Sequence, residues 1–141
     1  MDVRAAKNPD EIAAALELRE EVFYEEQGVP VAADRDGRDA DALHLVAVED
    51  GRVIGTCRLV FDGGVAHLGR MAVERSRRGR GVGAALLREA ERQARAAGAK
   101  RIALHAQTYA KSLYAQGGFV ERGREFVEEG IEHVPMEKRL A

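Results

Sequence analysis

A chain of 141 residues with 45% apolar content is long enough to bury a real core, and one domain spanning residues 1–141 is expected. Its 22 Lys and Arg against 24 Asp and Glu leave a net charge of -2, which argues against a dedicated nucleic-acid binder with its basic excess. Cys57 is the single cysteine, so an internal disulfide and a cysteine-cluster metal site are excluded; with no basic-then-apolar leader and no segment long enough to span a bilayer, a soluble, cytoplasmic protein is expected.

Val3 to Ala6 reads as a short strand, and Asn8-Pro9-Asp10 is a helix-start signal. Ile12, Leu16, Arg19 and Phe23 fall at helical spacing, with Leu18 and Val22 widening the stripe. That spacing predicts a first helix to about Glu26, ended by Gln27-Gly28-Val29-Pro30. From Ala33 to Ala42 the aspartates Asp34, Asp36, Asp39 and Asp41 make a polar stretch that reads as an exposed loop. Strand-like runs follow at His44 to Glu49, Val53 to Phe61 and Val65 to Val73, joined by Asp50-Gly51 and Asp62-Gly63-Gly64. Short glycine turns of this kind predict antiparallel hairpins. A helix then carries Val82, Leu86, Ala90 and Ala94 on one stripe, with Leu87 beside it and Arg88, Glu91, Arg92 and Arg95 facing out, until Gly98. Ile102 to Ala106 is a strand, and Tyr109 to Gln116 a short helix ended by Gly117-Gly118. Phe119 to Arg124 and His133 to Lys138 are the last two strands, able to pair.

Between the third of the hairpin strands and the long helix runs Arg-Ser-Arg-Arg-Gly-Arg-Gly-Val-Gly-Ala, from Arg75 to Ala84. Gly79, Gly81 and Gly83 let backbone N–H groups approach a ligand, and the helix N-terminus adds unsatisfied donors and a favourable dipole. Arg75, Arg77, Arg78 and Arg80 add charge in a chain that is otherwise near neutrality, so the loop is suited to a phosphate. It does not end in the Gly-Lys-Ser/Thr of a P-loop but runs into Ala84, Ala85 and Leu86, which argues against ATP or GTP. A dinucleotide fingerprint starting at Gly81 fails at Leu86. One starting at Gly79 is met by Ala84, yet the strand before it lies mid-chain instead of opening the domain. The plain alternative is an arginine-rich turn, whose four arginines repel one another unless something neutralises them.

Met71-Ala72-Val73 at a strand end, Arg78-Gly79-Arg80-Gly81-Val82-Gly83 opening a helix, and Tyr114-Ala115-Gln116-Gly117-Gly118-Phe119 together resemble the GNAT (Gcn5-related) N-acetyltransferase superfamily. That family's Gln/Arg-x-x-Gly-x-Gly/Ala pattern is matched by Arg78, Gly81 and Gly83, and the order of elements agrees over nearly the whole length. Leu18-Arg19, Val22-Phe23, Glu26-Gln27, Gly69-Arg70, Ala106-Gln107 and the stretch from Glu128 to His133 are similar to the ElaA/YjcF-like branch.

The resemblance implies a mixed α+β fold: a central, mostly antiparallel sheet of about six to seven strands, splayed between the fourth and fifth and flanked by helices. It implies acetyl-CoA as cosubstrate and no metal. The loop backbone at Arg78, Gly79, Arg80, Gly81, Val82, Gly83 and Ala84 would take the coenzyme A pyrophosphate. Met71 and Val73 would pair with the pantetheine arm in the splay, and an N–H near Met71 or Ala72 would polarise the thioester carbonyl. Tyr114 would protonate the leaving thiolate, a phenol of pKa about 10 serving a thiol of about 8.5 without any shift. The plain alternative is a core tyrosine packed with Leu113; Tyr109 takes the role only if the alignment slips.

Attack on a thioester requires a neutral amine, so some group must take its proton. Glu26 and His105 are the candidates, with His133 third; a surface carboxylate and a hydrogen-bonded strand histidine are the plain readings of the first two. Arg58 and Arg70 interrupt apolar strands, which is costly unless they are paired. Hairpin geometry brings them near each other, either to share a carboxylate or phosphate of an anionic or zwitterionic acceptor, or to pair with internal acids such as Glu49 or the aspartate-rich loop. His44 and His67 lack a third ligand at sensible spacing, and Cys57 reads as a buried strand residue.

The expected activity is transfer of an acetyl group from acetyl-CoA to a primary amine, on a small molecule or a protein. A non-catalytic acyl-CoA-binding module and an unrelated phosphate-ligand protein are the alternatives. Acceptor choice rests with the segments from Val29 to Ala42 and from Phe126 to Val134. Edge strands leave a homodimer open. The richness in alanine, arginine and glycine points to a G+C-rich bacterial genome.

Overall fold

Asn8 starts the first helix as expected: its side-chain oxygen accepts from the Glu11 N–H at 2.9 Å, and the Glu11 carboxylate reaches back to the Lys7 N–H at 2.7 Å. A computed structural model describes residues 1–140, apart from the side chain of Ala33; Ala141, the last residue of the expected domain, lies outside the described residues. Helix α1 covers Pro9–Arg19 and continues as π-helical turns over Glu20–Glu26, where the Gln27 N–H bonds back to the Val22 carbonyl. The wider turns rotate the buried face. Ala15, Leu18, Arg19 and Val22 are buried, while Ile12, Leu16 and Phe23 of the expected stripe are only half-buried.

The strands are β1 (Asp2–Ala5), β2 (Leu43–Glu49), β3 (Arg52–Asp62), β4 (Val65–Val73), β5 (Arg101–Gln107), β6 (Val120–Glu121), β7 (Phe126–Glu128) and β8 (Ile131–Arg139). They form a mixed α+β fold around one sheet of eight strands, in the order β1-β2-β3-β4-β5-β8-β6, with β7 also paired to β8. The additional strand is β7. The expected run from Phe119 to Arg124 shrinks to two residues, and Phe126–Glu128 folds back on β8 through Glu129 and Gly130, both at positive φ (52° and 73°), the conformation of a tight hairpin turn.

Every pairing is antiparallel except β4 with β5, which are joined through helix α3 (Val82–Ala96), as a parallel pair requires. This pair is short: only Val65, Ala66 and His67 meet Arg101, Ile102 and Ala103. A bulge explains the divergence beyond it. Arg58 opposes Gly69 and Thr56 opposes Ala72, so Arg70 and Met71 both face Cys57, with Arg70 at φ 56°. The extra residue bends β4 and reverses its alternation. Ala66 and Leu68 therefore lie in the main core beneath α3, whereas Ala72 packs on the opposite face with Leu18 and Val22 of the first helix.

Helix α3 buries the expected Val82, Leu86, Leu87, Ala90 and Ala94 against the sheet. It lies close: a Cβ on Gly55 of β3 would stand 2.8 Å from Val82 Cγ1, so a side chain there would push the helix off. Each fully buried leucine on this face, Leu86 among them, contributes about 1.5–3 kcal/mol. Two short helices complete the chain, α2 (Val31–Asp34) and α4 (Lys111–Gln116).

Candidate active site

Beyond His67 and Ala103 the inner edges of β4 and β5 part, and a cleft of about 1300 Å³ opens between them. The loop after β4 lies at one side of it. A single 3-10 turn, Arg75–Arg77, leads to Gly79 and Gly81 at φ 76° and 81°, and Gly81 starts α3 with no side-chain cap. The first helical bond runs from the Ala85 N–H to the Gly81 carbonyl. The N–H groups of Val82, Gly83 and Ala84 thus precede the helical ladder, at residues that line the cleft.

Of the residues expected to hold a cofactor, Met71, Ala72, Val73, Arg78, Gly79, Gly81, Val82, Gly83 and Ala84 line this cleft; Arg80 is exposed outside it. The arginine cluster is partly neutralised by the chain itself. Arg77 lies 2.8 Å from Glu49, and Arg78 lies 2.9 Å from Glu26 while donating to the Val73 carbonyl at 3.0 Å. Arg75, which lines the cleft, and Arg80 form no ion pair among the described residues.

Tyr114, on α4, lines the same cleft and is only 8% exposed, with its ring edge-on to Phe119. Its hydroxyl has no hydrogen-bond partner among the described residues. Burial, followed by the proximity of Cys57 and Tyr109, pushes this phenol well above its ordinary value, a shift the proton-transfer argument from sequence did not require. Tyr109 is 76% exposed and sits at the cleft mouth.

Glu26, His105 and His133 all line the cleft, each with a partner of its own. Both Glu26 oxygens are held by Arg78. His105 is exposed, with Nδ1 3.4 Å from Glu128 Oε2. His133 is buried, with Nδ1 2.8 Å from the Ile131 carbonyl. Phe126 lies between the two histidines, 5.0 Å edge-on to His105 and 5.7 Å stacked on His133.

The aspartate-rich stretch is exposed at Asp36 and Asp41, as expected, but Asp34 is only 2% exposed and Asp39 is half-buried. The reason is charge. Arg19 on the helix stripe and Arg58 and Arg70 in the strands are drawn into apolar surroundings and need counter-charges. Arg58 donates to Asp36 at 2.9 Å and to Asp39 at 3.0 Å, and Arg70 contacts Asp34 and Asp36 at 3.2 Å each. Arg19 contacts Asp34 at 3.1 Å and Asp39 at 2.8 Å. Arg58 and Arg70 do share a carboxylate, but it is the chain's own Asp36. The Arg58 guanidinium holds the Asp36 carboxyl well below the usual carboxylate range; at Asp39 burial pushes upward and is outweighed by Arg19 and Arg58.

His44 is 2.8 Å from the Asp39 carbonyl, and His67 is 3.6 Å from Asp62. Among the described residues no three His, Cys, Asp or Glu side chains stand where they could hold a metal ion, and no helix is long and apolar enough to cross a membrane. Cys57 is buried, which, with a smaller contribution from Glu89, pushes its thiol up to about 12 and leaves it inert.

The sequence carries no spacing signal for one feature of the cleft. Gln27 and Gln107 form a reciprocal amide pair, at 3.2 Å from the Gln27 Nε2 to the Gln107 Oε1 and 3.1 Å in the other direction, and the Tyr109 hydroxyl is 3.4 Å from the Gln27 amide. The two glutamines are 80 residues apart, and only their membership of separate motifs marked them.

A family model described as an acetyltransferase (GNAT) domain matches residues 4–140. The chain is 34% identical over 134 residues to the uncharacterized N-acetyltransferase YjcF of Bacillus subtilis, covering 94% of this chain and 96% of that one. Among solved structures it resembles an acyl-CoA N-acyltransferase from Pseudomonas aeruginosa, with a TM-score of 0.87 at 29% identity over 98% of this chain and 99% of that one. ElaA of Escherichia coli shares the fold, with a TM-score of 0.89 at 24% identity over 99% of this chain and 100% of that one. The sequence likeness to YjcF and the shared fold with ElaA support the ElaA/YjcF-like branch. The glycine loop, the parted strands and these likenesses agree, and the chain belongs to the acetyltransferase (GNAT) domain family.

Proposed function

We propose that this chain acts as one catalytic unit that transfers an acetyl group from acetyl-CoA to a primary amine by direct attack on the thioester. The observation that carries the reading is that Tyr114, buried and with a hydroxyl bonded to no described residue, lines the same cleft as the uncapped N-terminus of α3. The backbone from Arg78 to Ala84 takes the pyrophosphate, with Arg75 and Arg80 adding uncompensated charge. The pantetheine arm lies along the diverged edge of β4 at Met71 and Val73, and an N–H at Met71 or Ala72 meets the carbonyl oxygen.

The amine lone pair attacks the carbonyl carbon, the C–S bond breaks, and the thiolate takes the Tyr114 proton. Burial holds Tyr114 in its protonated form, ready to donate, and desolvation raises the basicity of a thiolate beside it in the same direction. The amine proton goes to His105, directly or through water; its Nδ1 stands 3.4 Å from Glu128 Oε2. Glu26 is the weaker candidate because both its oxygens are committed to Arg78. With Arg58 and Arg70 compensated internally, the acceptor needs no carboxylate of its own; a small-molecule amine suits the cleft, and a protein amine is the other source.

Calorimetric titration with acetyl-CoA, against ATP and NAD, tests the donor. Selective binding that is lost in the Gly81→Val/Gly83→Val double variant supports it, and absence of binding by the folded protein overturns it. A protein that binds acetyl-CoA and acetylates no member of an amine panel is instead an acyl-CoA-binding module.

A further inference from the structure

Two motifs from opposite halves of the chain meet in space beside the cleft. Glu26-Gln27 ends the first helix, and Ala106-Gln107 ends β5. The diverging end of β4 is Val73, whose carbonyl accepts from Arg78 Nε at 3.0 Å. Arg78 in turn is bound by Glu26 at 2.9 Å, and the next residue, Gln27, makes the two-way amide pair with Gln107 at 3.1 and 3.2 Å. An unbroken path therefore runs from the end of β4, through Arg78 and the last turn of the first helix, to the end of β5. It spans the two strands where they share no backbone hydrogen bonds, since their pairing stops at His67 and Ala103.

We propose that Glu26 and Gln27 are positioning residues that set the gape of the cleft, acting through Arg78 on β4 and through Gln107 on β5. Two parallel strands released from each other have no intrinsic spacing. If nothing holds them they either close into direct pairing or splay further. A single extended guest chain bonded to both edges needs them about two strand spacings, ~9.5 Å, apart. A bridge that holds the edges near that distance before the guest arrives spares the ordering cost of binding. Glu26 then works as an anchor for Arg78 and not as a proton acceptor. The ion pair and the amide pair are sequential links of one span, so cutting either releases the same constraint. The role in catalysis rests on the acyl-transfer reading; the mechanical role does not.

The test reads both. Spin labels placed at Ser76→Cys and Ser112→Cys, exposed positions just beyond β4 and β5, report the gape by pulsed electron resonance, with the native Cys57 buried and unreactive. Gln27→Ala, Gln107→Ala and Glu26→Ala should each broaden the distance distribution. Each should weaken acetyl-CoA binding about 10-fold, and Gln27→Ala/Gln107→Ala should weaken it no more than either single change, as expected for partners in one contact. Gln27→Glu, which still accepts from the Gln107 amide, should restore both readouts. The pH profile of kcat/KM should keep its acid limb in Glu26→Gln. Unchanged distances and affinity in Gln27→Ala overturn the proposal, as does loss of the acid limb in Glu26→Gln at unchanged affinity, which makes Glu26 the base. If the labels show the bridge setting the gape but the wild-type protein binds no acetyl-CoA, the donor assignment fails and the bridge stands.

Discussion

Asp34 and Arg19 lie 3.1 Å apart with side chains only 1% and 2% exposed, which makes this the most deeply buried ion pair among the described residues. Asp34 also accepts from the Tyr24 hydroxyl at 2.7 Å and contacts Arg70 at 3.2 Å. One carboxylate thus ties the first helix, the segment after it and the bulged strand β4 together. Asp34→Ala should therefore cost about 3–5 kcal/mol, because it removes the buried carboxylate shared by Arg19, Arg70 and Tyr24 and leaves the buried Arg19 with Asp39 alone. Urea unfolding measures this; a loss below about 1 kcal/mol would mean that the pair behaves like an exposed one and that our account of the aspartate segment is wrong.

Tyr114→Phe removes a hydroxyl that bonds to no described residue, so stability should hold while turnover falls about 10²–10⁴-fold, the span of a lost general acid. Acetyl-CoA affinity should stay within about twofold, since the ring remains. Steady-state kinetics beside calorimetry separates the two, and undiminished turnover removes Tyr114 from the mechanism.

Arg4, by side-chain hydrogen bonding, and then the Lys7 N–H hold the Glu11 carboxyl at about 2, below its ordinary 4.5. The folded-state value is the depressed one, so this contribution to stability is fully present above pH 4.5 and is lost as the pH falls towards 2. Glu11→Gln should lower Tm measurably at pH 7, with the gap to wild type closing over that acid window. A gap independent of pH would show that the loss is one of helix capping and not of charge.

Gly81 begins α3 at φ 81°, with nothing within 4 Å of where a Cβ would sit. Space is therefore not the constraint; the left-handed backbone is. Gly81→Ala should cost about 1–2 kcal/mol in this conformation, equivalent to about 10-fold in anion affinity if the loop relaxes to avoid the strain. Binding of acetyl-CoA should weaken while the far-ultraviolet spectrum stays the same; unchanged affinity would mean that the loop geometry is not what holds the anion.

Much of this molecule was legible before it was folded because local rules carried it. Asn8-Pro9 starts a helix by satisfying local donors, the stripe of Val82, Leu86, Ala90 and Ala94 buries one face of α3, and Asp62-Gly63-Gly64 turns β3 into β4. Gly79 and Gly81 marked a glycine loop opening onto a helix start, and the structure has one, with both glycines at positive φ. Each of these depends on neighbours within a turn or two of the chain, so spacing alone reports them. The motifs around Arg78 and Tyr114 added the family to which the chain belongs.

Tertiary structure decided everything that depends on which distant groups share a low-dielectric space. Arg58 and Arg70 were visible as misfits in apolar strands, but their partners could not be chosen, because an acceptor carboxylate and Asp36 are chemically alike and only folding selects between them. The aspartate-rich segment looked solvated for the same reason: a run of acids reads as surface until the buried arginines that neutralise it are brought alongside. The π-helical turns after Arg19 and the bulge at Arg70 and Met71 each insert one residue and turn the following side chains to a new face, a change that hydrophobic periodicity does not register. Gln27 and Gln107, both neutral and in separate motifs, found each other only when β4 and β5 parted, because a hydrogen bond between distant residues is specified by where the backbone puts them and by nothing in their own spacing.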